Sequence, residues 1–388
     1  MKNLDSDFQS TASTSPKLFT KRMDSDRRMN SHAGLRSCKS LLNSILARIL
    51  ILPALWFCVA NLASADQSGN FTYVDNGTSI TITRYPTAAV GALEIPATIN
   101  GKPVTRIGDS AFYKCAGLTS IAIPASVTKI EHAAFYGCTG LTSITIPFGV
   151  KTIEHAAFAV CSGLTTVSIP LSVTVIEDMA FTDCVSLTSL ILPSSITTIG
   201  GNAFSRCSGL TSLTIPSSVT TLWDDAFSSC NGLDSVTIPS TITTFGKRIF
   251  ASCSGLTDAM FAEGVISVPD SMFSDCSQLK SVTIPLTVTS IWNSAFQYCR
   301  KLTSITLPAN VKTIGNDAFR GCSGLTSASI NPRIIAVGQR AFMDCSILAS
   351  ILIPSSASVI GNEAFKNCVG LTSASIGGNS ATIGSSAF

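Results

Sequence analysis

The residues most capable of chemistry in this chain are its cysteines, and they fall on a fixed beat. Cys115, Cys138, Cys161, Cys184, Cys207, Cys230, Cys253, Cys276, Cys299, Cys322, Cys345 and Cys368 follow one another at intervals of 23 residues. In an oxidising compartment so many cysteines would invite disulfides. Equivalent residues of stacked units would lie roughly 5 Å apart, but their Cβ vectors would run parallel, which a disulfide tolerates poorly. No C-x-x-C spacing supports zinc. Free cysteine is among the most buried residue types. A buried thiol ladder is therefore expected, with disulfides or a metal as the alternative.

A second constellation is His132 and His155, one interval apart, beside Glu131, Glu154 and Glu177. Imidazole and carboxylate together can bind a transition metal. These positions vary, however, and Asp178 and Gly200 stand at them in the next units. No other histidine occurs beyond residue 65, so a Ser-His-Asp arrangement would have to use one of these two. The chain has no G-x-G, H-E-x-x-H or G-x-S-x-G. The expectation is no catalytic residue, no cofactor and no metal, so not an enzyme.

The elements that would position these residues share the same period. Phenylalanine recurs from Phe112 through Phe135 and Phe158 to Phe388, and leucine from Leu118 to Leu371. Such self-similarity marks a stacked-repeat architecture. Within a unit, Leu141-Thr-Ser-Ile144-Thr-Ile146-Pro147 alternates apolar and hydroxyl residues with period two, the mark of a strand, and proline ends it. Ala-Phe-x-x-Cys reads as one helical turn. The residue three before each phenylalanine is Asp109, Asp178, Asp224, Asp270, Asn293, Asn316 or Asn362 in seven of the thirteen units. Asp and Asn there can accept the free amides that begin a helix. Each unit is thus one strand, a tight turn and a helical turn, and neighbours must stack to bury their apolar sides.

Apolar residues make up 45% and charged residues 13% of the 388-residue chain, ample for a continuous core. The formal charge of +3 is unevenly placed. Residues 1–65 hold nine basic and four acidic side chains; 66–388 hold seventeen and nineteen, a net of −2. The body is nearly neutral and shows no basic stripe, which argues against a nucleic-acid partner. After Arg48 comes an uncharged run, Ile49–Ala60, then Ala63-Ser64-Ala65 and polar Asp66. A basic region, a short apolar core and an A-x-A ending read as a secretory signal with a long n-region, cleaved near Ala65. The run is interrupted by Pro53 and is shorter than the roughly 20 residues of a spanning helix. No second hydrophobic span follows, so no membrane span is expected in the mature chain, whose destination would be secretion or the cell surface.

Units such as Ile199-Gly-Gly-Asn-Ala-Phe204-Ser-Arg-Cys207-Ser-Gly-Leu210-Thr-Ser-Leu-Thr-Ile-Pro216 resemble the BspA-like class of leucine-rich repeats over about residues 101–388. The resemblance implies a right-handed leucine-rich-repeat solenoid. It also implies exported or surface-exposed proteins, several involved in adhesion to host proteins or other cells, and no catalytic residue. The expected architecture is a curved parallel β-sheet, one short strand per repeat, with helical or turn segments opposite. The stretch Asp258-Ala-Met260-Phe261-Ala262 departs from the pattern by losing its proline, which puts its strand geometry in question.

Before the regular beat, Asn76-Gly77 between two alternating runs signals a hairpin, so 66–100 is expected to cap the array. Asn70-Phe-Thr72 and Asn76-Gly-Thr78 match glycosylation acceptors, of consequence only in a eukaryotic secretory host. The sequence stops at Phe388, inside a further unit and without a polar cap; it reads as a fragment of a longer chain or as a last turn that frays. The outward strand positions are mostly Ser and Thr. Ile191, Met260 and Leu352 break that row, Asp258 breaks its companion row, and Trp223 and Trp292 replace the usual glycine beyond the turn. These six are the candidate partner-binding residues. The functional expectation is an interaction or adhesion module for a protein or glycan partner. The alternatives are a self-associating envelope or matrix component, or a spacer for a further domain.

Overall fold

The computed structural model describes residues 66–377 and 381–388. The segment read as a secretory signal lies outside the described residues.

The chain begins with β1 (Asp66–Ser68), β2 (Phe71–Asp75) and β3 (Ile80–Arg84), paired antiparallel in sequence order. The turn from β2 to β3 is closed by Asn76 N–H donating to the Ser79 carbonyl at 2.9 Å, with Gly77 at φ 89°. Next come β4 (Val90–Glu94), β5 (Thr98–Ile99), β6 (Lys102–Ile107), β7 (Gly117–Ala122) and β8 (Lys129–Ile130). From here the pairing is parallel and in two rows. One row starts with β4 on β7 and continues through Ser143–Thr145, Thr166–Ser168 and their successors to Ser373–Ile376. The other starts with β3 on β6 and β6 on β8, and its later members are two-residue strands such as Thr152–Ile153 and Thr198–Ile199. Partners along the regular rows are 23 residues apart, as in Val167 with Ile144. That spacing is the repeat itself, so every side chain stacks on its own equivalent.

Two strands per repeat rather than one is the first difference from the sequence expectation. The second strand is too short to show a period, because only its β-branched or Leu/Phe end, such as Ile153, Ile176 or Leu222, turns inward. Its pairing comes from the stack, not from local alternation.

The second difference is the Ala-Phe-x-x-Cys segment, which has no helix. It is a chain of turns with left-handed residues two before and two after each phenylalanine: Ser110 and Lys114, Ala156 and Val160, Met179 and Asp183, Glu363 and Asn367. The N–H groups of Ser110, Phe112 and Lys114 donate to His132, Ala134 and Tyr136 in the next turn, at 2.7–3.0 Å. The intervening amides of Ala111, Tyr113 and Cys115 bond three residues back. An α-helix would keep all of these bonds inside the segment. Here every second amide is spent on the neighbour, and left-handed φ is what aims it there.

Asp and Asn three before the phenylalanine therefore do not cap a helix. Their side chains accept the N–H of the equivalent residue one turn on: Gly201 to Asp178 at 2.6 Å, Lys247 to Asp224 at 2.8 Å, Asn293 to Asp270 and Asn316 to Asn293 at 2.9 Å. This ladder pairs an amide that would otherwise be left without a partner where the second strand meets the turns.

Inside, the rings from Phe112 to Phe388 stack at 5.0–5.8 Å with interplanar angles of 4–13°. Tyr85 and Phe71 extend the column at the amino-terminal end, at 5.4 Å and 4.9 Å. The unit with Ala262 in place of the proline keeps its geometry. Asp258–Phe261 is a four-residue strand, and Ala262 has the N–H a proline lacks, which it donates to Ile238 at 2.9 Å.

Candidate interaction surface

The cysteines lie inside the array. All twelve in the repeats are free and buried. Each thiol from Cys138 to Cys368 donates to the phenylalanine carbonyl of the preceding turn at 3.1–3.3 Å, as Cys230 does to Phe204 at 3.2 Å. Burial pushes Cys115 up to about 11 and Cys184, Cys253 and Cys322 up to about 12. A thiol held neutral in this way is neither a nucleophile nor a metal ligand; at the end of the column the contact with Cys345 instead lowers Cys368.

His132 and His155 stack at 4.9 Å with rings 5° from parallel. Their carboxylate neighbours are engaged elsewhere: Glu177 accepts the His155 N–H at 2.9 Å, and Lys129 lies 3.7 Å from Glu131 and 3.2 Å from Glu154. Among the described residues no three His, Cys, Asp or Glu side chains converge as a metal site. No helix there is long and apolar enough to cross a membrane.

The six candidate residues fall on two separate parts of the surface. Ile191, Met260 and Leu352 project outward from the first strand row and are 77%, 50% and 62% exposed. They share one column, three and four turns apart, in a field of Ser and Thr. Asp258 stands at the start of the Met260 strand, exposed, and hydrogen bonds from the Ser281 and Thr257 hydroxyls hold its carboxyl below its ordinary value.

Much of the hydroxyl field is tied down. Thr142, Thr165 and Thr257 donate to the carbonyl of the equivalent residue one turn back, at 2.9–3.2 Å. Thr197 and Thr220 do the same beside the second strand row, at 3.2 and 3.3 Å. These threonines solvate the surface and also brace the stack.

Trp223 and Trp292 lie at the junction of the second strand row and the turns, each about half exposed. The structure brings them near different neighbours. Trp223 borders a shallow depression of about 180 Å³ with His155, Glu177, Asp178 and Gly200. Trp292 walls a groove of about 420 Å³ with Phe245, Ile266 and Gly264, and its indole N–H donates to Ser290 at 3.0 Å. Phe245 and Ile266 were not among the candidates from sequence. Their signal was present in the columns: Ile266, like Ile335, stands where most turns have a polar residue such as Thr197, Thr220 or Thr243, and Phe245 where others have Ile, Leu or Val.

The profile of the BspA type leucine-rich repeat region matches the chain in six copies, over residues 93–211, 174–303 and 289–388. Among solved structures, a leucine-rich cell surface protein from Faecalibacterium prausnitzii is 30% identical, covering 81% of this chain and 95% of that one with a TM-score of 0.57. A leucine-rich repeat protein from Bacteroides ovatus is 26% identical over 75% of this chain and 95% of that one, with a TM-score of 0.39. The pneumococcal vaccine antigen PcpA is 20% identical over 84% and 99% of the two chains, with a TM-score of 0.43. No curated protein sequence matches.

Proposed function

The chain belongs to the BspA-type leucine-rich repeat family, and from that premise we propose that it is a non-catalytic, exported interaction module that holds a protein or glycan partner against its solenoid surface. Cell-surface placement draws support from the Faecalibacterium relative, described as a cell surface protein, and from the basic-then-apolar segment ending at Ala63-Ser64-Ala65.

The observation that carries the reading is the Trp292 groove. A tryptophan, a half-buried Phe245 and an exposed Ile266 line one open depression beside Thr243, Thr244 and Ser267. Large aromatic side chains in partly desolvated pockets supply a disproportionate share of binding energy. They also present flat faces to the C–H side of sugars. Trp223 is the second anchor, three turns away on the same junction.

The test is capture of a panel of immobilised glycans and extracellular-matrix proteins by the full chain, compared with Trp292→Ala and Trp223→Ala. Loss of about 2 kcal/mol in Trp292→Ala, some thirtyfold in affinity, is the expected result. Unchanged capture by both variants removes the anchors and the reading with them.

A further inference from the structure

The near-zero sum of charge over the repeats conceals a separation along the array. From Glu177 to Asp275 there are ten acidic and three basic residues, a net of −7; from Cys276 to Arg340 there are seven basic and one acidic, a net of +6. The first block spans roughly four turns and the second roughly three.

On the turn segments several of these charges are paired within the chain. Asp183 meets Arg206, Asp225 meets Arg248 at 2.6 Å, and Asp317 meets Arg340 at 2.8 Å. On the first strand row and its leading edge they are not. Asp234, Asp258, Lys280 and Lys301 are all exposed, and none has an ion-pair partner within 4.0 Å among the described residues, although Lys280 in the next turn helps hold the Asp258 carboxyl down. Asp234 and Lys280 occupy the same column, just after buried Leu233 and Leu279. Lys301 just precedes Leu302, and Asp258 begins its strand.

The placement is self-complementary about one line. Consider a two-fold axis parallel to the strands, midway between the turn of Met260 and the turn of Thr283. It exchanges each turn with its mirror position and keeps every column in place. The Asp258 turn is laid on the Lys280 turn, and the Asp234 turn on the Lys301 turn. Ile191 and Leu352, two of the most exposed apolar residues on this face, are seven turns apart in one column and fall on each other. An isologous interface repeats each such contact twice, giving four charge pairs, whose members stand one or two columns apart along the strand and within reach of a lysine side chain, bracketed by two apolar contacts.

We propose that the first strand row is the interface of an antiparallel homodimer, in which the acidic block of one copy faces the basic block of the other. It lies apart from the Trp292 groove, so it goes beyond the partner binding proposed above and does not depend on it. Charges arranged this way fix register and orientation more than they add affinity. The association is therefore salt-sensitive, and the apolar contacts at Ile191 and Leu352 complete it.

The test is sedimentation velocity on the full chain across salt concentrations. Dimer at low salt that weakens at least about tenfold by half-molar salt is expected, because exposed charge pairs are screened there. Two variants then decide the register: Lys280→Glu with Lys301→Glu, and Asp234→Lys with Asp258→Lys. Each alone places like charges opposite one another and is monomeric. Mixed one to one they restore every opposite pair and form the heterodimer. In a third variant, Ile191→Cys with Leu352→Cys, oxidation gives a covalent dimer. A wild-type chain that is monomeric at low salt, variants that dimerise like wild type, or a mixture that stays monomeric would each overturn the proposal.

Discussion

The phenylalanine–cysteine column and the first strand row run side by side through the same turns, and they obey opposite rules. In the column, thirteen rings and twelve thiols hold one residue type each without exception, and the thiols from Cys138 onward close on a carbonyl of the turn before. On the strand row the outward position is Thr, Ser, Ala, Ile, Met or Leu, while the phenylalanine and cysteine behind it stay the same. The column is over-determined because each residue meets its own equivalent on both sides, so one deviation misfits two neighbours. The outward position meets water on one side and tolerates whatever a partner needs. Identity in this molecule belongs to packing, and variation marks the surface available for function.

The largest expected effect comes from titrating the column as a whole. Burial raises Cys184, Cys253 and Cys322 from an ordinary value near 9 to about 12. Below pH 9 these thiols are neutral in both the folded and unfolded states, and the stability of the neutral fold is fully present. Above it the unfolded chain ionises first, so stability is lost as pH rises from 9 towards 12. Each thiol contributes roughly 1 kcal/mol for every pH unit in that window. Several thiols titrating together should unfold the array abruptly. Circular dichroism against pH, with a thiolate absorbance signal appearing only at the transition, is the measurement. Thiolate absorbance rising near pH 9 in a folded chain would show that the column is open to water.

A single break in the column is next. Phe227→Ala removes a ring stacked on Phe204 and Phe250 at 5.3 and 5.5 Å. Deleting a buried phenylalanine costs about 3–5 kcal/mol. Guanidinium unfolding followed by circular dichroism should show that loss, whereas Thr237→Ala on the strand row should leave the midpoint nearly unchanged.

The sequence made the column legible and the turns misleading, for one reason. Phe and Cys at a fixed interval state that equivalents stack, and strand alternation at Leu141–Ile146 states which side faces in. The Ala-Phe-x-x-Cys segment follows inter-turn pairing instead of local propensity. Lys114, Val160, Met179 and Glu363 are poor choices for left-handed backbone and gave no hint of it. The Asp and Asn residues before each phenylalanine do accept backbone amides, as their chemistry suggested, but from 23 residues along rather than from a helix start. The same limit applies to the surface. Trp292 was legible as an exception in its column, but the groove it forms with Phe245 and Ile266 required the stack to bring residues 26 and 47 positions away beside it.

Strain in the turns offers a smaller and opposite effect. Val160 is β-branched and sits at φ 60°, in a column where Gly137 and Gly321 also occur at φ 71° and 70°. Left-handed backbone costs a β-branched residue on the order of 1–2 kcal/mol, part of which glycine gives back through unfolded-state entropy. Val160→Gly should therefore stabilise the chain by about 1 kcal/mol, read as a rise in the unfolding midpoint, and Gly137→Val should lower it. A drop in Val160→Gly would mean that the side chain's packing outweighs its backbone.

The smallest effect on stability sharpens the contrast most. Ile191→Ser restores the hydroxyl found at the same strand position in Ser168 and Ser329. Ile191 is 77% exposed and its neighbours in the row, Ser168 and Thr214, are equally outward. Little apolar area leaves water there on folding, so the transfer contribution is small, and surface changes of this kind usually stay within about 0.5 kcal/mol. The substitution exchanges a β-branched residue for serine, which by strand preference alone lowers stability slightly. An unchanged or slightly lowered midpoint places Ile191 among residues the fold does not need. A loss above about 2 kcal/mol would instead put this residue in the class of Phe227, where burial sets identity. It would then no longer be free for a partner, and the division between column and strand row would fail at its most exposed point.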